Sequence, residues 1–307
     1  MQLIRSVMAD PVTGSGGCIM DHLLGGLYCV ELDPETGLPA EEGDQGHLTA
    51  RRANYQKDNL EAPEIIYNPD LKQYYLFVSY DPLMTTYNVR VGRSDKAEGP
   101  FVDFSGVELK DTTNNFPILT APYRFHNHPG WAGTAHCSVF TSDEGQYFMA
   151  HQGRLSPHNQ MMDLHLRQVF FTPDGWPVVS PERYTGCVSR KFSAEDMAGE
   201  WEVIRIQEPA YERRLQAGQI LWGEGQLKEE EWNVSHLLSL EKNGNLGENK
   251  GTWELLEAKQ LLSLTLEGEI INNLIIFAGH DWENEKETVL FTGLDSCGRS
   301  IWGKRIK

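Results

Sequence analysis

The sequence predicts an all-β protein in which the blades of a partial β-propeller precede a small C-terminal β-sandwich or barrel. Short strand-like segments separated by turn signals fill the first two thirds of the chain, and helical periodicity is nearly absent there. These segments recur as a repeating unit. After about residue 190 a second set of strands follows a boundary segment. We therefore expect two domains, at 1–190 and 191–307.

The repeating unit has three or four strands. Two cycles are clear, at 63–101 and 135–179, and an incomplete earlier one ends at 26–33. A four-stranded sheet cannot bury both faces until neighbouring sheets pack against it, so this recurrence predicts propeller blades. A sandwich of unrelated strands is the alternative. Because a closed propeller needs about four to eight blades, we expect this chain to lack some of them.

The C-terminal third predicts a separate β domain of about 110 residues, which is within ordinary domain size. Its boundary lies at 193–201, where small and acidic residues interrupt the strand pattern. The strand-like segments that follow, each bounded by polar turns, are 203–206, 218–222, 261–266, 273–278 and 288–292. A small β-sandwich or barrel accounts for this pattern.

The composition excludes several classes of partner. Lysine and arginine total 27 against 44 aspartates and glutamates, a formal charge of -17, which disfavours nucleic acid and anionic membranes. The sequence has no apolar run long enough to span a bilayer, and its N-terminus does not resemble a signal peptide. The five cysteines are scattered, which indicates neither a zinc site nor a disulfide framework.

Two residues are candidates for chemistry at the start of successive cycles. Glu61 precedes a strand of mostly apolar and aromatic residues, where the protonated form of a carboxyl would be favoured. His136 begins the innermost strand of the next cycle. Because equivalent starts of propeller blades converge on the central channel, the two side chains are expected to share a site. A solvated glutamate and a core histidine are the alternatives.

Other polar and aromatic residues give weaker signals. The groups His126/His128 and His158/Asp163/His165 lack the fixed spacings of zinc ligands, so we expect channel-wall or loop residues there. Aromatic residues near predicted blade ends are candidates for stacking on sugar rings, although core packing is the alternative for each. These candidates for substrate binding are Tyr55, Tyr80 and Trp131.

Several motifs, taken in order, resemble glycoside hydrolase family 43, and in particular the two-domain endo-1,5-α-L-arabinanases. The resemblance runs from about Asp10 to Tyr184, and the tail is similar to the C-terminal β domain of those enzymes. The segments that carry it are 60–63 (Leu-Glu-Ala-Pro), 76–81, 87–94, 98–100, 133–140 and 174–181.

The resemblance implies a five-bladed propeller that hydrolyses arabinan with inversion. It assigns Glu61 as the general acid and His136 as the channel histidine, which lies beside a calcium or sodium ion in the family. Inverting enzymes place the acid and the base about 6.5–9.5 Å apart, with the attacking water between them. Arabinan or an arabino-oligosaccharide is the implied partner.

The sequence departs from the family in its first part. No residue of this chain matches the base aspartate, and the position of the aspartate that tunes the acid falls near Ile4 or Arg5. Asp10 is the alternative for that second role. With the abrupt start at Met1, this predicts a truncated or misread reading frame and poor hydrolysis, since losing one catalytic partner costs orders of magnitude in rate.

The sequence is therefore compatible with three functions. The first is an arabinan-cleaving glycosidase, impaired because the base is missing. The second is a non-catalytic carbohydrate-binding relative, and the third is another family 43 activity, such as exo-arabinanase, arabinofuranosidase or xylosidase. Polymeric arabinan is too large for easy uptake, so we expect an extracellular parent protein, although this chain shows no leader.

Overall fold

A computed structural model describes residues 5–14, 16–22, 26–52, 60–112, 114–188, 190–208, 227–266 and 268–307. Strands dominate these residues. The helical segments are one short α-helix, α1 (Ala194–Met197), and two 3-10 turns, Glu229–Glu231 and Gly247–Asn249. None of the described helices has the length and apolar character needed to cross a membrane.

The first two sheets are antiparallel meanders of four strands, each in chain order. The first contains β1 (Arg5–Ala9), β2 (Gly16–His22), β3 (Gly26–Leu32) and β4 (His47–Ala50). The second contains β5 (Leu60–Asn68), β6 (Gln73–Tyr80), β7 (Asn88–Ser94) and β8 (Ile118–Thr120).

The third sheet repeats this meander and adds short strands at its edge. Its core contains β11 (Ser138–Thr141), β12 (Tyr147–Leu155), β13 (Asp163–Phe171) and β14 (Pro177–Val179). Two shorter strands precede it in the chain, β9 (Tyr123–Arg124) and β10 (Trp131–Ala132), and β10 pairs with the end of β12.

The three sheets pack face to face because their middle strands are buried on both sides. On β6, Tyr74 and Leu76 pack in a cluster with Leu27 of the first sheet, whereas Tyr75 and Phe77 pack in a cluster with Met149 of the third. This division follows from the alternation of side chains along a strand. The first strands of the sheets, β1, β5 and β11, contact one another in that order along one side. The all-β, blade-like prediction is thus confirmed for three sheets.

The C-terminal part is a closed barrel of eight strands. It closes because β15 pairs with both β17 and β23. Its strands are β15 (Gly199–Arg205), β17 (His236–Leu240), β18 (Asn245–Leu246), β19 (Gly251–Leu256), β20 (Leu261–Leu266), β21 (Glu269–Asp281), β22 (Lys286–Leu294) and β23 (Ser300–Arg305). Of the two predicted forms, a sandwich and a barrel, the structure has the barrel. The predicted strand at 218–222 lies outside the described residues.

The barrel and the sheets share a hydrophobic core. Ile204, Ile206 and Trp302 of the C-terminal part belong to the same buried cluster as the second and third sheets. A short strand, β16 (Asn233–Val234), also pairs in parallel with β9. The two parts are therefore joined by burial as well as by the chain, and the boundary near residue 190 remains a prediction.

Candidate active site

Glu61 lies at a bulge in the first strand of the second sheet. Opposite β6, Leu60 and Glu61 pair in register, but Ala62 and Pro63 together oppose a single residue before pairing resumes at Glu64. Ala62 has a φ of 50°, and proline has no N–H to donate to the ladder. The Glu-Ala-Pro motif therefore bends the strand and orients Glu61, whose side chain is half-buried.

A tyrosine hydroxyl joins Glu61 to His136. Tyr87 Oη donates a hydrogen bond to Glu61 Oε1 over 2.5 Å, and His136 Nδ1 lies 3.4 Å from the same hydroxyl. Tyr87 immediately precedes β7 and is fully buried. The structure thus brings together the two residues that the repeat predicts to converge, although they are 75 positions apart. Their catalytic roles remain predictions.

Ser79 completes this cluster from the strand opposite Glu61. It is the partner of Glu61 in the β5–β6 ladder, and its side chain is fully buried. Its Oγ accepts a hydrogen bond of 2.9 Å from the backbone N–H of His136. Because Ser79 contacts the loop that carries His136, the second and third sheets are tied together at the candidate site.

His136 occupies a strained turn that presents its ring to solvent. Its φ is 56°, in the left-handed region, and its side chain is exposed while Ala135 and Cys137 on either side are buried. The nearby Gly133 also has a positive φ, and a Cβ there would lie 2.6 Å from the carbonyl oxygen of Leu83. A strained backbone beside a candidate acid is typical of functional sites.

The electrostatics of Tyr87 suit a hydrogen-bond donor. Burial, and next the charge of Glu61, raise the pKa of Tyr87 well above its ordinary value. The phenol therefore keeps its proton at any physiological pH. Tyr87 and Ser79 are site residues that the sequence reasoning missed. Both lie in the motif segments 76–81 and 87–94, and the alternation of side chains along a strand places them on the face of Glu61, so this signal was available.

A second carboxylate lies farther along the same strand. Glu64 accepts a hydrogen bond of 3.1 Å from Ser6 of β1. Burial raises the pKa of Glu64, while hydrogen bonding acts in the opposite direction. Glu64 thus joins the first strands of the first two sheets.

Two of the aromatic residues predicted to bind sugar are corrected by the structure. Tyr80 is buried, and the guanidinium groups of Arg52 and Arg90 lie 5.1 and 4.7 Å from its ring centroid. Trp131 is 6% exposed and packs against neighbouring rings, including His165 at 4.4 Å. Because these rings are enclosed, neither presents a face to a sugar. The third residue, Tyr55, lies outside the described residues.

Asp10 is far from the candidate acid along the sheet. Its carboxylate accepts hydrogen bonds from Thr13 and from Tyr74, at the opposite end of β6 from Ser79. Five residues of extended strand separate these contacts, roughly 16 Å. Asp10 instead lines an open cavity of about 700 Å³ with Glu31 and Glu98, and this cavity does not include Glu61. The alternative that Asp10 tunes the acid is therefore wrong.

The described residues do not form a metal site of three side chains at His136. Among them, the one group of three acidic, histidine or cysteine residues close enough to share an ion is Glu182, Asp281 and Glu283. The ammonium of Lys304 already lies between those three carboxylates. The described donors at His136 thus do not fit a side-chain cage for calcium or sodium, and the ion there remains a prediction.

Two family models match the chain. The model of glycosyl hydrolases family 43 matches residues 17–177, more than half of the chain, and a C-terminal lipocalin-like domain matches residues 181–303. These matches correspond to the sheets and to the barrel. They meet between residues 177 and 181, close to the β14 strand end.

Related proteins include extracellular endo-α-(1→5)-L-arabinanases. The chain is 26% identical to endo-α-(1→5)-L-arabinanase 2 of Bacillus subtilis (strain 168) and 28% identical to the Thermotoga petrophila enzyme, with 92% of this chain and 60% of each relative covered. The chain thus spans about 60% of the length of these curated relatives. The crystal structure of endo-1,5-α-L-arabinanase from Thermotoga petrophila RKU-1 covers 99% of this chain and 67% of its own, with 26% identity and a TM-score of 0.83.

Proposed function

Because this chain belongs to glycosyl hydrolase family 43, we propose that it cleaves the α-1,5-linked L-arabinofuranosyl bonds of plant cell-wall arabinan, with inversion. The two curated relatives support this substrate because both are named endo-α-(1→5)-L-arabinanases. The observation that carries the proposal is the contact of Glu61 and His136 with one tyrosine hydroxyl. A carboxyl group held in this way can deliver a proton to a defined position.

In the proposed reaction, Glu61 protonates the glycosidic oxygen as the bond to the anomeric carbon breaks. A water molecule attacks that carbon from the opposite face, and a second carboxylate removes its proton. His136 lies on the exposed side of the cluster, where its ring can contact a bound sugar.

The lack of a matching base carboxylate lowers the expected rate of hydrolysis. No residue of this sequence matches the base aspartate of the family. Because acid and base act as a unit, the loss of one typically costs orders of magnitude in rate. We therefore expect the 307-residue chain to hydrolyse arabinan slowly. We also place the protein outside the cell, since the curated relatives are named extracellular and the polymer is too large for easy uptake.

The experiment titrates linear arabino-oligosaccharides against the chain and against Glu61→Gln. Binding is measured by calorimetry, and products are measured by chromatography and by proton NMR of the newly formed anomer. We expect both proteins to bind the sugar, and Glu61→Gln to lose at least about 100-fold in hydrolysis, the usual contribution of a general acid. The first product should have the inverted configuration.

Glu64→Gln is the matched control, because it removes a carboxylate from the same strand that bonds Ser6 instead of Tyr87. This control separates the loss of the general acid from the loss of a negative charge elsewhere on the same strand. Equal hydrolysis by the chain and by Glu61→Gln would overturn the role of Glu61. Binding without cleavage by either protein would support the carbohydrate-binding alternative, which the unmatched base favours.

A further inference from the structure

We propose that Tyr87 is a positioning residue that selects which carboxyl oxygen of Glu61 acts on the sugar. The proposal rests on the proposed function, in which Glu61 is the general acid. Tyr87 would hold Oε1 of that carboxyl group, so that the acidic proton resides on Oε2 and is directed to the leaving oxygen.

The hydrogen-bonding capacity of the tyrosine hydroxyl supports this arrangement. A phenol has one proton to donate and two positions at which it can accept. The proton is directed to Glu61 Oε1, because that bond is the shorter contact of the hydroxyl at 2.5 Å against 3.4 Å to His136. The Nδ1–H of His136 is then the donor to Tyr87. This direction satisfies both partners, because an ionised carboxylate can only accept.

The direction of the hydrogen bond determines where the acidic proton lies. When Glu61 is protonated, the oxygen that accepts from Tyr87 is its carbonyl oxygen, and the proton is on the other oxygen. Among the residues that the structure describes, no hydrogen bond reaches Glu61 Oε2. None of the described residues therefore competes with the glycosidic oxygen of a substrate for that oxygen.

The sheet geometry keeps this arrangement rigid. Ser79 is paired directly across from Glu61, and Tyr87 is connected to the start of β7, which pairs with the end of β6. Ser79 also accepts the backbone N–H of His136, so three segments converge on the carboxyl group. Catalytic groups must be held within about 0.5 Å of their productive position, and residues locked by packing achieve this best.

The main test measures coupling between Glu61 and His136 at a fixed pH. The side-chain 15N resonances of His136 are assigned by comparison with His136→Asn. They are recorded for four proteins: the chain, Glu61→Gln, Tyr87→Phe and the double variant. A chelator is present throughout. We expect Glu61→Gln to move the Nδ1 resonance when Tyr87 is present. In the Tyr87→Phe background the movement should fall to roughly a third or less, since the shared hydroxyl carries the coupling.

Tyr75→Phe is the matched control, because Tyr75 is a buried tyrosine of β6 whose hydroxyl bonds the carbonyl oxygen of Gly175 instead. In that background the coupling should persist. If Tyr87→Phe fails to fold, the 13Cζ resonance of Tyr87 is compared between the chain and Glu61→Gln, and a shift is expected. An equal His136 response in both Tyr87 backgrounds, or an unmoved Tyr87 resonance, would overturn the proposal.

Kinetics separate this proposal from the proposed function. If the chain hydrolyses arabino-oligosaccharides, Tyr87→Phe should lower kcat about tenfold and leave KM unchanged, because it acts on the transition state. An unchanged kcat would refute the positioning role. If the chain hydrolyses nothing but the coupling is present, the hydrogen-bond arrangement is supported and the proposed function alone is overturned.

Discussion

Replacement of Lys304 by methionine should destabilise the protein more than any exposed lysine substitution. The Lys304 ammonium is fully buried between three carboxylates, at 2.9 Å from Glu182, 3.0 Å from Asp281 and in direct contact with Glu283. The ring of Phe125 lies 3.9 Å from the same nitrogen. The cluster connects the barrel to Glu182, which precedes it in the chain.

The size of the effect follows from these contacts. Each ion pair at about 3 Å is worth several kcal/mol at the effective dielectric constant of a protein site. Desolvation of the buried groups cancels much of that gain, so the pairs contribute little relative to an apolar cluster. Removal of the single cation, however, leaves the acidic groups of Glu182, Asp281 and Glu283 facing one another without a counterion, and the first two are buried. Broken buried pairs cost about 3–5 kcal/mol, and this range is the expected loss for Lys304→Met.

The assay is urea unfolding followed by tryptophan fluorescence. Lys286→Met is the matched control, because that lysine is exposed on the neighbouring strand and bonds a backbone carbonyl. Its substitution should change the unfolding free energy by less than about 0.5 kcal/mol. A triple variant with Glu182→Gln and Asp281→Asn added to Lys304→Met should recover part of the loss. A loss below about 1 kcal/mol for Lys304→Met would refute the reasoning.

Three further predictions concern stability and use the same assay. Burial raises the pKa of Glu182 to about 8, so the stability that its protonated form contributes should be lost as pH rises from about 5 to 8, and Glu182→Gln should flatten this slope. Trp302→Ala should cost about 3–5 kcal/mol, because Trp302 is fully buried in the core shared by barrel and sheets; a cost below about 1 kcal/mol would contradict a shared core. Gly251→Ala should cost more than about 2 kcal/mol, since its φ is +148° and a Cβ would lie 1.7 Å from the carbonyl oxygen of Thr265. Gly268→Ala, with a positive φ but open space around it, is the control and should cost about 1 kcal/mol; equal losses would contradict the steric reasoning.

The strands and their grouping were predictable because they depend on local properties. Alternating apolar residues and turn signals mark the hairpins of the second and third sheets, and the repeat of that pattern predicts blades. The barrel was less certain, since a sandwich and a barrel share the same strand pattern. Only the pairing of β15 with β23, about 100 residues apart, distinguishes the two.

The candidate site was predictable in part. The Glu-Ala-Pro motif and the recurrence of blade starts identify Glu61 and His136, and the structure places both beside Tyr87. The structure corrects the sugar-binding assignments of Tyr80 and Trp131, because both rings are enclosed by charged or aromatic neighbours. An aromatic residue near a strand end is compatible with either a platform or a core position, and sequence spacing does not distinguish them.

The sequence alone determined the β class, the order of the sheets and the motifs of the family, because strand period and turn chemistry are local. The tertiary structure decided which oxygen of Glu61 is held, through a hydroxyl 26 positions away. It also decided that Lys304 meets Glu182, 122 positions earlier in the chain. Such contacts depend on how sheets pack in space, and a side chain's neighbours across a sheet interface leave no periodic signal in the chain.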